Sequence, residues 1–107
     1  MSSQLVSFHN DLDGNGNPAG GYVSGMGLAI EWQNGPLGRG KEREEPSGAF
    51  VEDVLEVCAE RLRFFQKSNF ACRENAIALT HLETAILWLN KRTRDREARG
   101  VEGTHEL

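Results

Sequence analysis

Residues 49–67 read AFVEDVLEVCAERLRFFQK, and residues 72–100 read CRENAIALTHLETAILWLNKRTRDREARG. In the first stretch, Val51, Val54, Leu55, Cys58, Leu62 and Phe65 recur at helical spacings. That apolar stripe predicts a helix over Ala49–Lys67. In the second stretch, Ala78, Leu82, Ala85, Ile86 and Leu89 share one face, widened by Ile77, Leu79 and Trp88. Ser68-Asn69 offers an N-cap for this second helix, and Gly100 a stop after Arg99. So short a connection makes the two helices antiparallel neighbours. At 1.5 Å per residue the second would be ~40 Å long and the first ~28 Å. The longer helix carries more apolar surface than one short partner covers, which predicts a homodimer or a higher homo-oligomer.

Upstream the composition changes. Ten of the 12 glycines and all 3 prolines precede Ala49, and none lies between it and Arg99. A strand-and-loop half (residues 1–48) followed by a helical half (residues 49–107) is the α+β pattern. Gln4–Phe8, Gly20–Ser24 and Leu28–Trp32 are short β-compatible runs. They predict a small antiparallel sheet, with Asp11–Pro18 as turn chemistry and Gly38–Pro46 as a charged loop.

Composition bounds the function classes. The chain has 107 residues, is 38% hydrophobic and 26% charged, and carries a net charge of −4. Such a balance suits a single soluble domain, and the acidity argues against duplex nucleic acid as partner. No apolar run approaches the ~20 residues of a membrane span. Met1-Ser2-Ser3-Gln4 lacks the basic and apolar regions of a secretory signal, so a cytoplasmic location is expected. Cys58 and Cys72 are too few for a disulfide framework and read as reduced thiols, Cys58 as part of the core.

Asp11-Leu12-Asp13-Gly14-Asn15-Gly16 opens like a calcium loop, but Tyr22 stands where a bidentate Glu belongs, so it reads as a turn. His9, His81 and His105 have no ligand spacing, and no phosphate loop is present. No metal or cofactor is expected. No nucleophile and base are assembled by local spacing, which disfavours catalysis.

Two groups remain. Arg92, Arg96 and Arg99 fall within about 60° on one helix face. They read either as a solvated end complementing the helix dipole or as a site for a small phosphorylated ligand held by forked guanidinium contacts. Phe65, beside Phe64, and Asn75, in the first turn of the second helix, read either as packing or as a minimal adenine reader. Asn75 and Arg92 are 17 residues apart, ~25 Å along one helix, beyond the reach of one small molecule. Only two subunits packed antiparallel would unite these groups in a composite pocket.

The chain also resembles a known family. Trp32-Gln33-Asn34-Gly35-Pro36, Val51-Glu52-Asp53-Val54-Leu55-Glu56-Val57 and Cys72-Arg73-Glu74-Asn75 carry the resemblance. So do Thr80-His81-Leu82-Glu83-Thr84-Ala85, Trp88-Leu89-Asn90, Arg92-Thr93-Arg94-Asp95-Arg96 and the tail Arg99-Gly100-Val101-Glu102-Gly103-Thr104. In order and spacing these stretches are similar to the first type of phage anti-Thoeris nucleotide sponge. A related helical hairpin occurs in phage sponges that oppose cyclic-oligonucleotide (CBASS) signalling. The resemblance implies an N-terminal sheet followed by a helical hairpin, a homodimer often built into a hexamer, and a non-catalytic function in the cytoplasm of an infected bacterium. The ligand it implies is glycocyclic ADP-ribose, with cyclic di- and trinucleotides as further ligands in some members. Carried residue by residue onto this chain, the binding positions are Phe65 and Asn75 for the adenine and Arg92 and Arg96 for the diphosphate. Alternatives from other classes are a protein-interaction module and a messenger-cleaving enzyme using Glu74, His81 or Glu83.

Overall fold

The computed structural model describes residues 6–38, 40–100 and 104. Three antiparallel strands are followed by two helices, an α+β fold: β1 (Val6–Leu12), β2 (Pro18–Gly25), β3 (Leu28–Trp32), α1 (Val51–Gln66) and α2 (Arg73–Ala98). The chain forms two compact units, the strands with their following loop and the helical hairpin Val51–Gly100.

In the sheet unit, β2 is central, and Phe8, Val23 and Ile30 lie in register across the three strands. Val23 is its buried apolar residue. Gly21 sits at φ 134°, and a Cβ there would strike the His9 carbonyl, so this close strand crossing needs glycine. Of the expected first strand, Gln4 lies outside the described residues, and the strand runs on through Asp11 and Leu12, which the sequence placed in a turn. The reversal is confined to the residues after Leu12. There the Asp13 carboxylate accepts the N–H of Asn15 at 2.8 Å and of Asn17 at 3.0 Å, the self-bonding Asx geometry. This short-range bonding lets a tight turn form while the preceding polar residues stay on the sheet edge.

Gln33 organises the loop that follows β3. Its Oε1 accepts from the Ser47 N–H at 2.7 Å and the Gly48 N–H at 3.3 Å, while its Nε2 donates to the Gly35 carbonyl. Ala49 then bridges beside Trp32, donating to the Glu31 carbonyl at 2.7 Å. The Trp32–Pro36 motif is thus a loop-closing device that brings the chain back alongside β3 before α1 begins.

The hairpin unit departs from the expected packing in detail. Ala59 is fully enclosed at 0% exposure, whereas Cys58, read as core, is exposed. The less-exposed positions of α1 include Glu52, Leu55, Ala59, Leu62 and Gln66. On α2 they include Asn75, Leu79, Leu82, Ile86, Leu89, Thr93 and Arg96. Both sets alternate steps of three and four, the narrow seam of paired helices along the length of α1, and the same face of α2 continues through Thr93 and Arg96 past the end of α1. A small residue at that seam lets the backbones approach, and the Cys58 position, ~100° around the helix, turns away. Ala78, expected on the inner face, is exposed as well, as are Ile77 and Trp88. A two-helix contact covers two positions per heptad, not the broader stripe.

Both helices are shorter at their ends than expected, and Ser68-Asn69 does not cap α2. The N-cap is Cys72, with no side-chain cap bond. Ser68 instead finishes α1: its hydroxyl donates to the Phe65 carbonyl at 2.6 Å and accepts the Phe70 N–H at 3.1 Å. At the other end of α2, Gly100 takes φ 75° and donates to the Glu97 carbonyl, as a glycine stop should.

Candidate functional site

The bend of the hairpin gathers the aromatic and carboxamide groups. Gln66, the last residue of α1, reaches across the turn to Cys72. Its Oε1 accepts the Cys72 N–H at 3.1 Å, and its Nε2 donates to the Cys72 carbonyl at 3.1 Å. This reciprocal pair fixes the N-cap residue of α2 to the end of α1, and it was not legible from cap preferences. It ties the residue after Phe65 to the residue three before Asn75, so both candidate groups sit on braced backbone.

Phe64 and Phe65 stand 5.9 Å apart between ring centroids, tilted at 55°. Phe64 is 55% exposed and Phe65 half-buried. The Arg61 guanidinium lies over both rings, 5.1 Å from the Phe64 centroid and 4.9 Å from that of Phe65. Asn75, in the first turn of α2, is half-buried, and its carboxamide has no hydrogen-bond partner among the described residues. A carboxamide with free donors and an acceptor can pair with the edge of a planar base.

Below the bend, Arg63 crosses from α1 to α2. Its guanidinium contacts Glu56 at 2.9 Å, Glu60 at 3.5 Å and Glu83 at 3.2 Å. Its hydrogen bonds to Glu56 and then to Glu83 hold the Arg63 pKa above its ordinary value. Glu83, one of the candidate catalytic carboxylates, is therefore engaged in joining the helices. Glu74 and His81 lie exposed on α2.

The arginines lie at the far end. α2 is unbroken from Arg73 to Ala98, 26 residues against 16 in α1, so Asn75 and Arg92 are held ~25 Å apart on one rod. Arg92 is exposed and has no carboxylate partner among the described residues, whereas Arg96 is buried at 9% exposure. Arg99 is the C-cap residue. Between them Asp95 takes the Lys91 ammonium at 2.6 Å, and that bond holds the Asp95 carboxyl below its ordinary value. Within one chain, the structure brings Phe65 and Asn75 to the bend and leaves Arg92 and Arg96 at the opposite end.

Among the described residues no cluster of metal-ligating side chains occurs, and no helix is long and apolar enough to cross a membrane. His105 lies outside the described residues.

The family model of the Acb2/Tad1 hairpin domain matches residues 28–94, from β3 through most of α2. Phe65, Asn75 and Arg92 fall inside the match, and Arg96 lies just beyond it. A protein of Bacillus phage SBSphiJ7 described as Thoeris anti-defense 1 is 47% identical over 83 residues, covering 78% of this chain and 56% of the relative. The chain thus spans about half the length of the curated relative it matches. With its sheet, its braced hairpin and its family match in place, the chain belongs to the Acb2/Tad1 hairpin-domain family.

Proposed function

We propose that this protein is a phage anti-defence sponge. It would bind glycocyclic ADP-ribose-type immune messengers in the host cytoplasm and withhold them from their effector without cleaving them. Support comes from the family match and from the name of the phage relative. The observation that carries the site is the rigid separation along α2 of Asn75, at the bend beside the end of α1 that carries Phe65, from Arg92 and Arg96. Phe65 and Asn75 suit an adenine, Arg92 and Arg96 a diphosphate, and one messenger reaches both only when two copies pair antiparallel.

The hairpin offers surface for such pairing. Val57 is 71% exposed, Leu87 64% and Trp88 66%, an apolar load that water disfavours. Two subunits related by one twofold axis would hold two equivalent pockets, and a hexamer built of three such dimers could add sites for cyclic di- and trinucleotides. The same exposed surface favours a second reading, a protein-interaction module that binds no nucleotide.

The test is a binding series with glycocyclic ADP-ribose on wild type and Arg92→Ala, followed by heat release of the ligand. The exposed Arg92 side chain can be removed without unfolding the helix, and affinity should fall at least tenfold, the worth of a charge-assisted contact of about 1.5–3 kcal/mol. Intact messenger should be recovered from the denatured protein. Unchanged affinity removes Arg92 from the site, and a cleaved product would establish the enzyme instead.

A further inference from the structure

The two arginines near the bend of the hairpin differ sharply in how their charge is used. Arg63 is surrounded by three carboxylates. Arg61, two residues earlier, is exposed and has no carboxylate partner among the described residues. Its guanidinium rests instead on Phe64 and Phe65, at 5.1 and 4.9 Å from the centroids. The placement follows from the helix, because residues three and four positions on lie on the same face. A ring face attracts a guanidinium through its quadrupole but supplies no counter-charge and no acceptor. The N–H donors of Arg61 therefore remain available to an anion beside the Phe64 and Phe65 rings.

We infer that Arg61 is a further binding residue of that site, contacting the phosphates of a base-bearing diphosphate stacked at Phe65; this rests on the sponge reading above. In the composite pocket Arg61 approaches the diphosphate from the aromatic side, opposite Arg92 and Arg96 of the second copy. The rings position the cation before the ligand arrives, which lowers the ordering cost of a long side chain. A lysine would keep the charge but lose the flat contact with the rings and the forked geometry toward phosphate.

The experiment titrates glycocyclic ADP-ribose into wild type, Arg61→Ala, Arg61→Lys and Asn75→Ala at several salt concentrations, with helical circular dichroism as the folding control. Arg61→Ala should bind about tenfold more weakly and show a shallower salt dependence, since one charged contact is gone. Arg61→Lys should fall between. Affinity of Arg61→Ala within twofold of wild type, alongside a weakened Asn75→Ala, overturns the inference and leaves the sponge reading standing. Weaker binding with an unchanged salt dependence also overturns it, because that is loss of packing. Absence of binding by wild type overturns the sponge reading itself, and this inference with it.

Discussion

Replacing Gln66 by Ala should open the bend of the hairpin. The side chain makes two hydrogen bonds to Cys72, both at 3.1 Å, and together they close the turn formed by residues 67–71. A net neutral hydrogen bond is worth about 0.5–1.5 kcal/mol, so losing both costs roughly 1–2 kcal/mol once water takes part of their place. Ala propagates a helix slightly better than Gln, so propensity works against the predicted loss and cannot produce it. With a urea m-value near 1 kcal/mol/M, the low end for small domains, the midpoint should fall by about 1–2 M. The assay is urea unfolding followed at 222 nm, where α1 and α2 dominate the signal. Gln66→Met separates the causes, since it keeps the volume and discards both bonds. The account predicts that Met and Ala lose stability alike. A wild-type midpoint for both variants, or full recovery by Met, would refute the claim that the amide pair closes the hairpin.

Other outcomes follow from the same structure. Ala59→Leu forces bulk into a fully enclosed seam position and should cost about 1–3 kcal/mol by the same unfolding assay, whereas Cys58→Leu on the exposed side should change little. Asp95 has its carboxyl held low by Lys91, so it contributes stability above the ordinary carboxylate range and loses it as pH falls through that range, below about pH 4. Asp95→Asn should therefore lower thermal stability by a constant amount above pH 6, leave the slope there unchanged, and flatten the acid limb, so that variant and wild type converge in acid.

The hairpin was legible because periodicity survives in isolation: long runs without Gly or Pro and apolar residues every three or four positions admit little but helices. Less legible was which face meets which. Ala59 is a weak hydrophobic signal, yet at a helix seam smallness is the qualification, so the larger Cys58 drew the assignment. The Ser68-Asn69 cap failed for a related reason. Cap preferences are local, but Gln66 fixes Cys72 as the N-cap residue from the other side of the turn, and Ser68 is spent on the Phe65 carbonyl. Phe65, Asn75, Arg92 and Arg96 were candidates from side-chain chemistry and family resemblance together. Arg61 was not, since an arginine beside an apolar stripe signals nothing until its position over two rings is seen. The strand that runs through Asp11 and Leu12 escaped because Asp and Asn favour turns on propensity, while pairing with β2 decides where the strand ends.

The most direct test of the central claim is calorimetric titration of glycocyclic ADP-ribose into the full chain at a known oligomeric state. Tight binding at one messenger per subunit, in a species no smaller than a dimer, is the predicted result. A monomer that binds tightly would contradict the composite pocket, and no heat across the messenger isomers would contradict the sponge.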